Sequence, residues 1–437
     1  MMSEKFIIQG GKSLAGEIEV RGAKNSAMAI LSACLLTKEL CFIENIPLIE
    51  DVFRILEIFK SLGAKTEFVG ERALKIEAKN LNPEKMDYQQ VKKLRASVLL
   101  MGPLIARFPD FKIPYPGGCQ IGARIIDPHL DVLEKLGAEI DFDQEFFYLK
   151  RKKIKGAKIV MTEMGVTPTE NAIMAAVLAE GKTIIKCAAS EHYVQDLCHF
   201  LRKMGAKISG VGAHELIIEG GKKLEGAKHF IMPDPIEAGT FLSLLASTKS
   251  RGVIRNASPE FLEFELLKFK EANVNFEIIQ ERNFKKSWGY KLADIKVEPS
   301  LKLKAVKKVH NMPYPGFSAD LIQPFAVLMT QAEGTSLIHD WMFDGRLKYI
   351  DDLIKMGANA VVCDPHRVLI TGPTPLKGTA ISSFDLRAGA SLIIAALTAY
   401  GQTEISDIYQ VDRGYEKLEE RLQNLGADIK RVKVQTN

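Results

Sequence analysis

The segment PYPGGCQIGAR, residues 114–124, sets a thiol, Cys119, directly after a glycine pair and just ahead of a guanidinium, Arg124. A packing cysteine belongs on an apolar face. This one stands on a glycine-rich loop near a cation that favours the thiolate, and such a loop suits a lid that closes on a ligand. Other polar residues stand where apolar helices begin. Lys24 and Asn25 open GAKNSAMAIL, Arg95 enters the run VKKLRASVLL, and Thr169 opens the helix of GVTPTENAIM. Asp320 opens GFSADLIQPF, and Asp385 with Arg387 opens SSFDLRAGAS. Helix N-termini carry unpaired N–H groups and about half a positive charge each. Several such ends meeting across one cleft, with lysine and arginine among them, would trap a substrate bearing several phosphates or carboxylates. Each residue alone has a plainer reading. An aspartate ahead of an apolar run is commonly a cap, an arginine at the end of a buried helix snorkels to water, and Lys24 can be a surface lysine at a strand end. Recurrence at one point of a repeated unit is what favours a site.

The unit that must position these residues is legible as a phrase: a helical run, then Leu/Met-Gly-Ala, then a short strand. It occurs around Gly63, Gly137, Gly205, Gly357 and Gly426, with a degenerate copy, FKEANVNFEI, at Asn273. The glycine reads as the left-handed residue that ends a helix, and the alternation after it starts a strand. The period of roughly 70 residues gives about six copies. A second phrase, as in GAKIVMTEMGVTPTENAIMAAVLAEG, runs strand, polar turn, apolar helix. Helices apolar on nearly every face should be buried, whereas amphipathic ones such as that in GYEKLEERLQNLGA should lie outside. The expectation is an α/β fold of two domains, each of three βαβαββ-type repeats. The cut is expected near residues 230–235, and the first strand, about residues 5–20, could belong to either half; joined to the second half it gives domains at residues 23–233, carrying the Cys119 loop, and at residues 1–22 plus 234–437. No Ser/Gly-rich linker separates them, so short ordered crossings should join them as in a hinged clam-shell.

Bulk composition excludes several classes. A chain of 437 residues is too long for one core. A net charge of +5 on 59 basic and 54 acidic residues argues against a nucleic-acid or membrane-surface partner. No apolar run approaches a membrane span and the N-terminus lacks signal-peptide character, so the expected location is the cytoplasm. Cys34, Cys41, Cys119, Cys187, Cys198 and Cys363 form no CxxC pair and no zinc spacing, which fits reduced thiols and no metal. No GxSxG elbow, P-loop or GxGxxG after a strand is present, leaving serine hydrolysis, nucleotide hydrolysis and nicotinamide chemistry without support.

The elements GAKNSAMAIL, KKLRAS, PGGCQIGARIIDPH, FDLRA and YQVDRGYEKLEERLQNLGA resemble the enolpyruvyl transferase family, in particular the members that use UDP-N-acetylglucosamine as acceptor, and the likeness runs along essentially the whole chain. The resemblance implies two inside-out α/β domains hinged about an active-site cleft. It implies transfer of the enolpyruvyl group of phosphoenolpyruvate to the 3′-hydroxyl of UDP-N-acetylglucosamine through a tetrahedral ketal, with release of phosphate and no cofactor. By that resemblance Asp320 is the base and Cys119 the general acid. Lys24, Arg124 and Arg413 hold the phosphate, Arg346 and Arg387 hold the carboxylate, and Asn25 lies beside both substrates. Arg95, Arg124, Ile125, Ile126, Asp127, Pro128, Glu163, Gly165, Val166, Asp320 and Met342 face the sugar nucleotide. The chain departs from the family pattern at Ser318-Ala319 before the base, at Glu163 and Gly165-Val166-Thr167-Pro168, at Ala188-Ala189-Ser190-Glu191-His192, and at Asp127-Pro128-His129. Two alternatives remain at this stage: the sister reaction on shikimate 3-phosphate, and a non-catalytic paralogue that binds a sugar nucleotide.

Overall fold

Glycine ends the outer helices as the repeated phrase predicts. Gly63, Gly137, Gly205, Gly357 and Gly426 have φ of 96, 102, 100, 97 and 90°, and Asn273 in the degenerate copy has 59°. These values come from a computed structural model, which describes residues 2–117 and 126–435. At the first of them the Ala64 N–H reaches back to the Phe59 carbonyl and the Gly63 N–H to Lys60, so the last carbonyls of the helix Glu50–Leu62 are satisfied.

Each repeat builds one small sheet. In the clearest unit, Lys158–Val160 runs parallel to Lys182–Lys186, which pairs antiparallel with Glu215–Glu219, itself antiparallel to Lys207–Ser209. The helix Val166–Ala176 makes the parallel crossover and His192–Lys203 the return. Among the described residues there are six sheets, five of four strands and one of three. The three-stranded sheet belongs to the unit of Asp110–Pro114, Ala138–Phe142 and Phe146–Arg151.

The crossover helices lie innermost. Every residue of Pro235–Ser247 and of Ile322–Met329 is buried, and each buried Leu or Ile contributes about 1.5–3 kcal/mol. The outer helices are two-faced: His192–Lys203 buries Val194, Leu197, Phe200 and Leu201, leaves Gln195 half-buried and ends on the exposed Arg202 and Lys203. One inner element differs from the sequence expectation. VKKLRASVLL is not one helix but Tyr88–Lys93, a tighter 3-10 turn Arg95–Leu100, and then Met101–Arg107. Leu94 is extended at the break, and the Ser97 hydroxyl donates back to the carbonyls of Leu94 and Val91, a side-chain bond that competes with regular helix.

Two apolar cores result. One draws residues between Ala27 and Ile231. The other combines Phe6 to Val20 with Ile236 to Ile429. The N-terminal strands are part of the second lobe: Met2–Gln9 lies between Gln402–Ser406 and Asp428–Gln435, and Glu17–Glu19 runs beside Gly252–Ala257. The chain passes between lobes twice, and the two passages are bonded to each other. The Ala23 N–H donates to Met232 and the Asp234 N–H to Arg21. Gly22, the glycine of GAKN, sits in this crossing so close to Asn45 that a Cβ would stand 2.0 Å from its carbonyl oxygen, which explains why no larger residue fits. Among the described residues no helix is long and apolar enough to cross a membrane.

Candidate active site

A cleft of about 550 Å³ opens between the lobes. Of the residues singled out from sequence, Lys24, Asn25, Arg95, Glu163, Gly165, Val166, Asp320, Met342, Arg346, Arg387 and Arg413 all line it. Ile126, Asp127 and Pro128 do not: Asp127 and Pro128 are the first two residues of the helix Asp127–Lys135, the former exposed and the latter buried, and Ile126 caps that helix. Cys119, Arg124 and Ile125 lie outside the described residues.

On one wall Lys24 is the first residue of the helix Lys24–Ala33 and is buried, so the surface-lysine reading fails. Its Nζ stands 2.7 Å from Asp51, whose other oxygen takes the Nε of Arg413 at 3.0 Å. Burial lowers the Lys24 ammonium from its ordinary value, with Arg413 adding to the effect and Asp51 opposing it. Burial works against the Asp51 charge, but Lys24 and Arg413 together outweigh it and hold the carboxyl below the usual range. One carboxylate between two cations leaves this wall with a net positive charge, suited to a phosphate.

The second wall is built around Asp320. Its Oδ1 accepts from Arg346 at 2.9 Å and its Oδ2 from Arg387 at 3.2 Å. Arg346 is 1% exposed and Arg387 3%, and burial of both is offset by carboxylates; for Arg387 the Tyr415 hydroxyl also lies at 3.2 Å. Asp320 is not a helix cap, because the following helix starts at Ile322 with Leu321 before it. Asp385 is one: its carboxylate accepts from the N–H groups of Arg387 and Ala388 at the start of Leu386–Thr398, and the cap aims Arg387 at Asp320. Thr169 does not open its helix, which starts at Val166. Its hydroxyl donates to the Gly165 carbonyl and accepts from the Ala189 N–H.

Sequence reading missed Asp51, whose only signal was its place in the first turn of a helix, where acids are ordinary. It also missed Glu265, which accepts the Ser318 N–H at 2.7 Å and so fixes the loop that carries Asp320. His129 was noted only as a departure from a pattern. It is buried between Asn171 and Thr167 and held neutral, with its pKa lowered to about 3 by burial and then by Arg95. Among the described residues no group of three or more His, Cys, Asp or Glu is arranged to hold a metal ion.

Six small sheets on buried helices among the described residues, two lobes, and a cleft in which two guanidiniums grip one aspartate make a two-lobed α/β fold with an anion-binding cleft. The EPSP synthase (3-phosphoshikimate 1-carboxyvinyltransferase) family matches residues 8–422, and the chain belongs to that family. More particularly, it is 43% identical to the UDP-N-acetylglucosamine 1-carboxyvinyltransferase of Borrelia garinii subsp. bavariensis, over 98% of this chain and 99% of that one. It is 41% identical to the protein of the same name from Treponema denticola, over 97% and 98%. In fold it is similar to the enolpyruvyl transferase NikO from Streptomyces tendae, with a TM-score of 0.88 at 22% identity over the whole of both chains. EPSP synthase from Acinetobacter baumannii superposes with a TM-score of 0.77 at 19% identity, covering 98% of this chain and all of that one.

Proposed function

We propose that the protein transfers the enolpyruvyl group of phosphoenolpyruvate to the 3′-hydroxyl of UDP-N-acetylglucosamine, releasing phosphate, as a cytoplasmic step in peptidoglycan precursor synthesis. The observation that carries the site assignment is Asp320 gripped by Arg346 and Arg387 in the same cleft as the Lys24–Asp51–Arg413 cluster. The lobes are residues 23–233 and residues 1–22 plus 234–437; Lys24 and Asp51 come from the first and Arg413 from the second together with Asp320, Arg346 and Arg387, so the phosphate wall itself spans both lobes.

The chemistry follows from the charges. Phosphoenolpyruvate is an anion at both ends. Its phosphate suits Lys24 and Arg413, with Arg124 assigned there by resemblance, and its carboxylate suits the planar forks of Arg346 and Arg387. That carboxylate competes with Asp320 for the same two guanidiniums, so binding frees a carboxylate oxygen to accept the proton of the sugar hydroxyl. The hydroxyl oxygen then attacks the central carbon while Cys119 protonates the methylene. Loss of a proton from the resulting methyl group and departure of phosphate regenerate the double bond. The cations meet the charge that develops on the phosphate, commonly the largest catalytic term. Asn25, Arg95, Glu163, Gly165, Val166 and Met342 are the cleft residues assigned to the sugar nucleotide, with Ile125, Ile126, Asp127 and Pro128 leading from the Cys119 segment.

Phosphate release from phosphoenolpyruvate tests the reading, with UDP-N-acetylglucosamine in one tube and shikimate 3-phosphate in another. Release with the sugar nucleotide alone is expected, and release with shikimate 3-phosphate alone would overturn the acceptor assignment. Fosfomycin, a thiol-reactive epoxide, is expected to add its mass to Cys119 and stop turnover. A Cys119→Asp protein should gain no mass and keep some activity, because a carboxylic acid also donates a proton. Intact-mass measurement reads both.

A further inference from the structure

Three polar side chains on the cleft wall have no place in the scheme above. Glu170, in the second turn of Val166–Ala176, is 1% exposed, and no described residue bonds its Oε1. His192 opens the helix His192–Lys203, is 4% exposed, and neither ring nitrogen has a partner among the described residues. Glu191, just before it, has a buried Oε2 with no partner among the described residues. All three line the cleft. The neighbouring Asn171 makes the contrast, since its amide is fully engaged with Val98, His129 and the Gly102 N–H. Buried polar groups are normally paired, and one left unpaired in a cleft points to a ligand.

Burial also disfavours charge on this wall, where the guanidiniums of the rest of the cleft keep theirs. Burial, then the adjacent Glu191, pushes the Glu170 carboxyl well above its usual range. Burial lowers the His192 imidazole to about 3 against the pull of Asp196 and Asp320. A neutral carboxylic acid offers one O–H donor and acceptor oxygens, and a neutral imidazole offers one donor and one acceptor. That set repels nothing and suits hydroxyl and amide groups, whereas phosphate and carboxylate are better served by the guanidiniums. Glu170 and His192 line the same cleft as Asp320, the proposed base.

We propose that Glu170 and His192 form a buried hydrogen-bonding subsite that takes the sugar hydroxyl and acetamido groups of the acceptor and so selects for the sugar beyond its diphosphate. This rests on the acceptor reading given under the proposed function. The test is calorimetric titration of the full-length protein with UDP-N-acetylglucosamine and, separately, with UDP, which lacks the sugar. Glu170→Leu and His192→Phe, the latter keeping the ring that packs on Tyr193 and Phe261, are expected to lose about five- to tenfold in affinity for the sugar nucleotide. For UDP they should lose less than about twofold. Glu170→Gln, whose amide can donate as the neutral acid does, should recover most of what Glu170→Leu loses. Equal losses for both ligands, or none, would overturn the subsite while leaving the acceptor assignment intact. Failure of the unmodified protein to bind or turn over UDP-N-acetylglucosamine would overturn the acceptor assignment and this subsite with it. If Glu170→Leu does not fold, His192→Phe alone decides between these outcomes.

Discussion

At the scale of single residues, the two walls of the cleft differ in what their carboxylates do. Asp51 pairs with Lys24 and Arg413, whereas Asp320 occupies the two guanidiniums proposed above to take the substrate carboxylate. Replacing Asp320 with Ala is therefore expected to reduce kcat by about 10²- to 10⁴-fold with a much smaller change in KM for the sugar nucleotide. Steady-state kinetics in both substrates would show this, and a loss confined to KM would remove Asp320 from the chemical step. Glu265 sets the loop below it and carries a pH signature. Burial raises its carboxyl from 4.5 to about 7, against the Ser318 N–H bond that lowers it. A raised carboxyl stabilises the fold fully below its unfolded value near about 4.3, and that contribution is lost as pH rises through about 7. The stability difference between the native protein and Glu265→Gln should therefore fall by on the order of 3 kcal/mol between those limits. Urea unfolding at a series of pH values measures it, and a flat difference would show that Glu265 does not titrate in that window. Lys24, Asp320 and Arg387 were legible as cleft residues from their place at the start of apolar runs, and Arg346 and Arg413 from the family resemblance. Asp51, Glu170 and Glu265 were not, because an acid in a helical run reads as solvated until a tertiary neighbour removes the water.

At the scale of elements, the repeated phrase worked because it encodes a backbone requirement. A residue with φ near 100° has few alternatives to glycine, so the six helix ends and their spacing could be read without contacts, down to Asn273 in the degenerate copy. The same reading could not foresee the split at Leu94, which depends on Ser97 turning its hydroxyl back on the chain, nor the three-stranded sheet. Equivalent glycines also differ in what surrounds them. At Gly426 an added Cβ meets nothing within 4 Å, whereas at Gly63 it would stand 2.6 Å from the Asn80 carbonyl oxygen. Gly426→Ala should cost about 1 kcal/mol for the left-handed backbone alone. Gly63→Ala should cost about 1–3 kcal/mol more, since a main-chain oxygen must move. Chemical denaturation of the two variants side by side checks the order. Equal losses would mean that the chain at Asn80 yields without cost.

At the scale of the whole molecule, two separate cores must act as one machine, and the two crossings at Gly22 and Pro233 are a slender joint. The fourth repeat supplies a further connection, beside the Asp51–Arg413 and Arg72–Glu416 pairs that also join the lobes. Its hairpin strands, Phe276–Asn283 and Lys291–Val297, are eight and seven residues long, against four and five for Lys65–Phe68 and Ala73–Glu77 in the first repeat. The extra length carries the tip onto the other lobe. There Trp288 stacks on His199 with ring centroids 4.3 Å apart and planes 8° apart, and its indole N–H donates to the buried Asp196. Lys286 pairs with Glu44 beside it. Trp288 also joins Phe261 and Tyr290 in a small apolar cluster that includes Ala23 and Met232 of the crossings, so the tip braces the joint itself. Trp288→Ala should therefore do more than lower stability by about 2 kcal/mol for a half-buried aromatic. It should uncouple the lobes, so that the calorimetric enthalpy exceeds the van't Hoff enthalpy and the heat-capacity peak broadens or divides. A lowered but still single two-state transition would instead assign the coupling to the crossings and to the Arg72–Glu416 and Asp51–Arg413 pairs across the lobes, with the hairpin reduced to local packing.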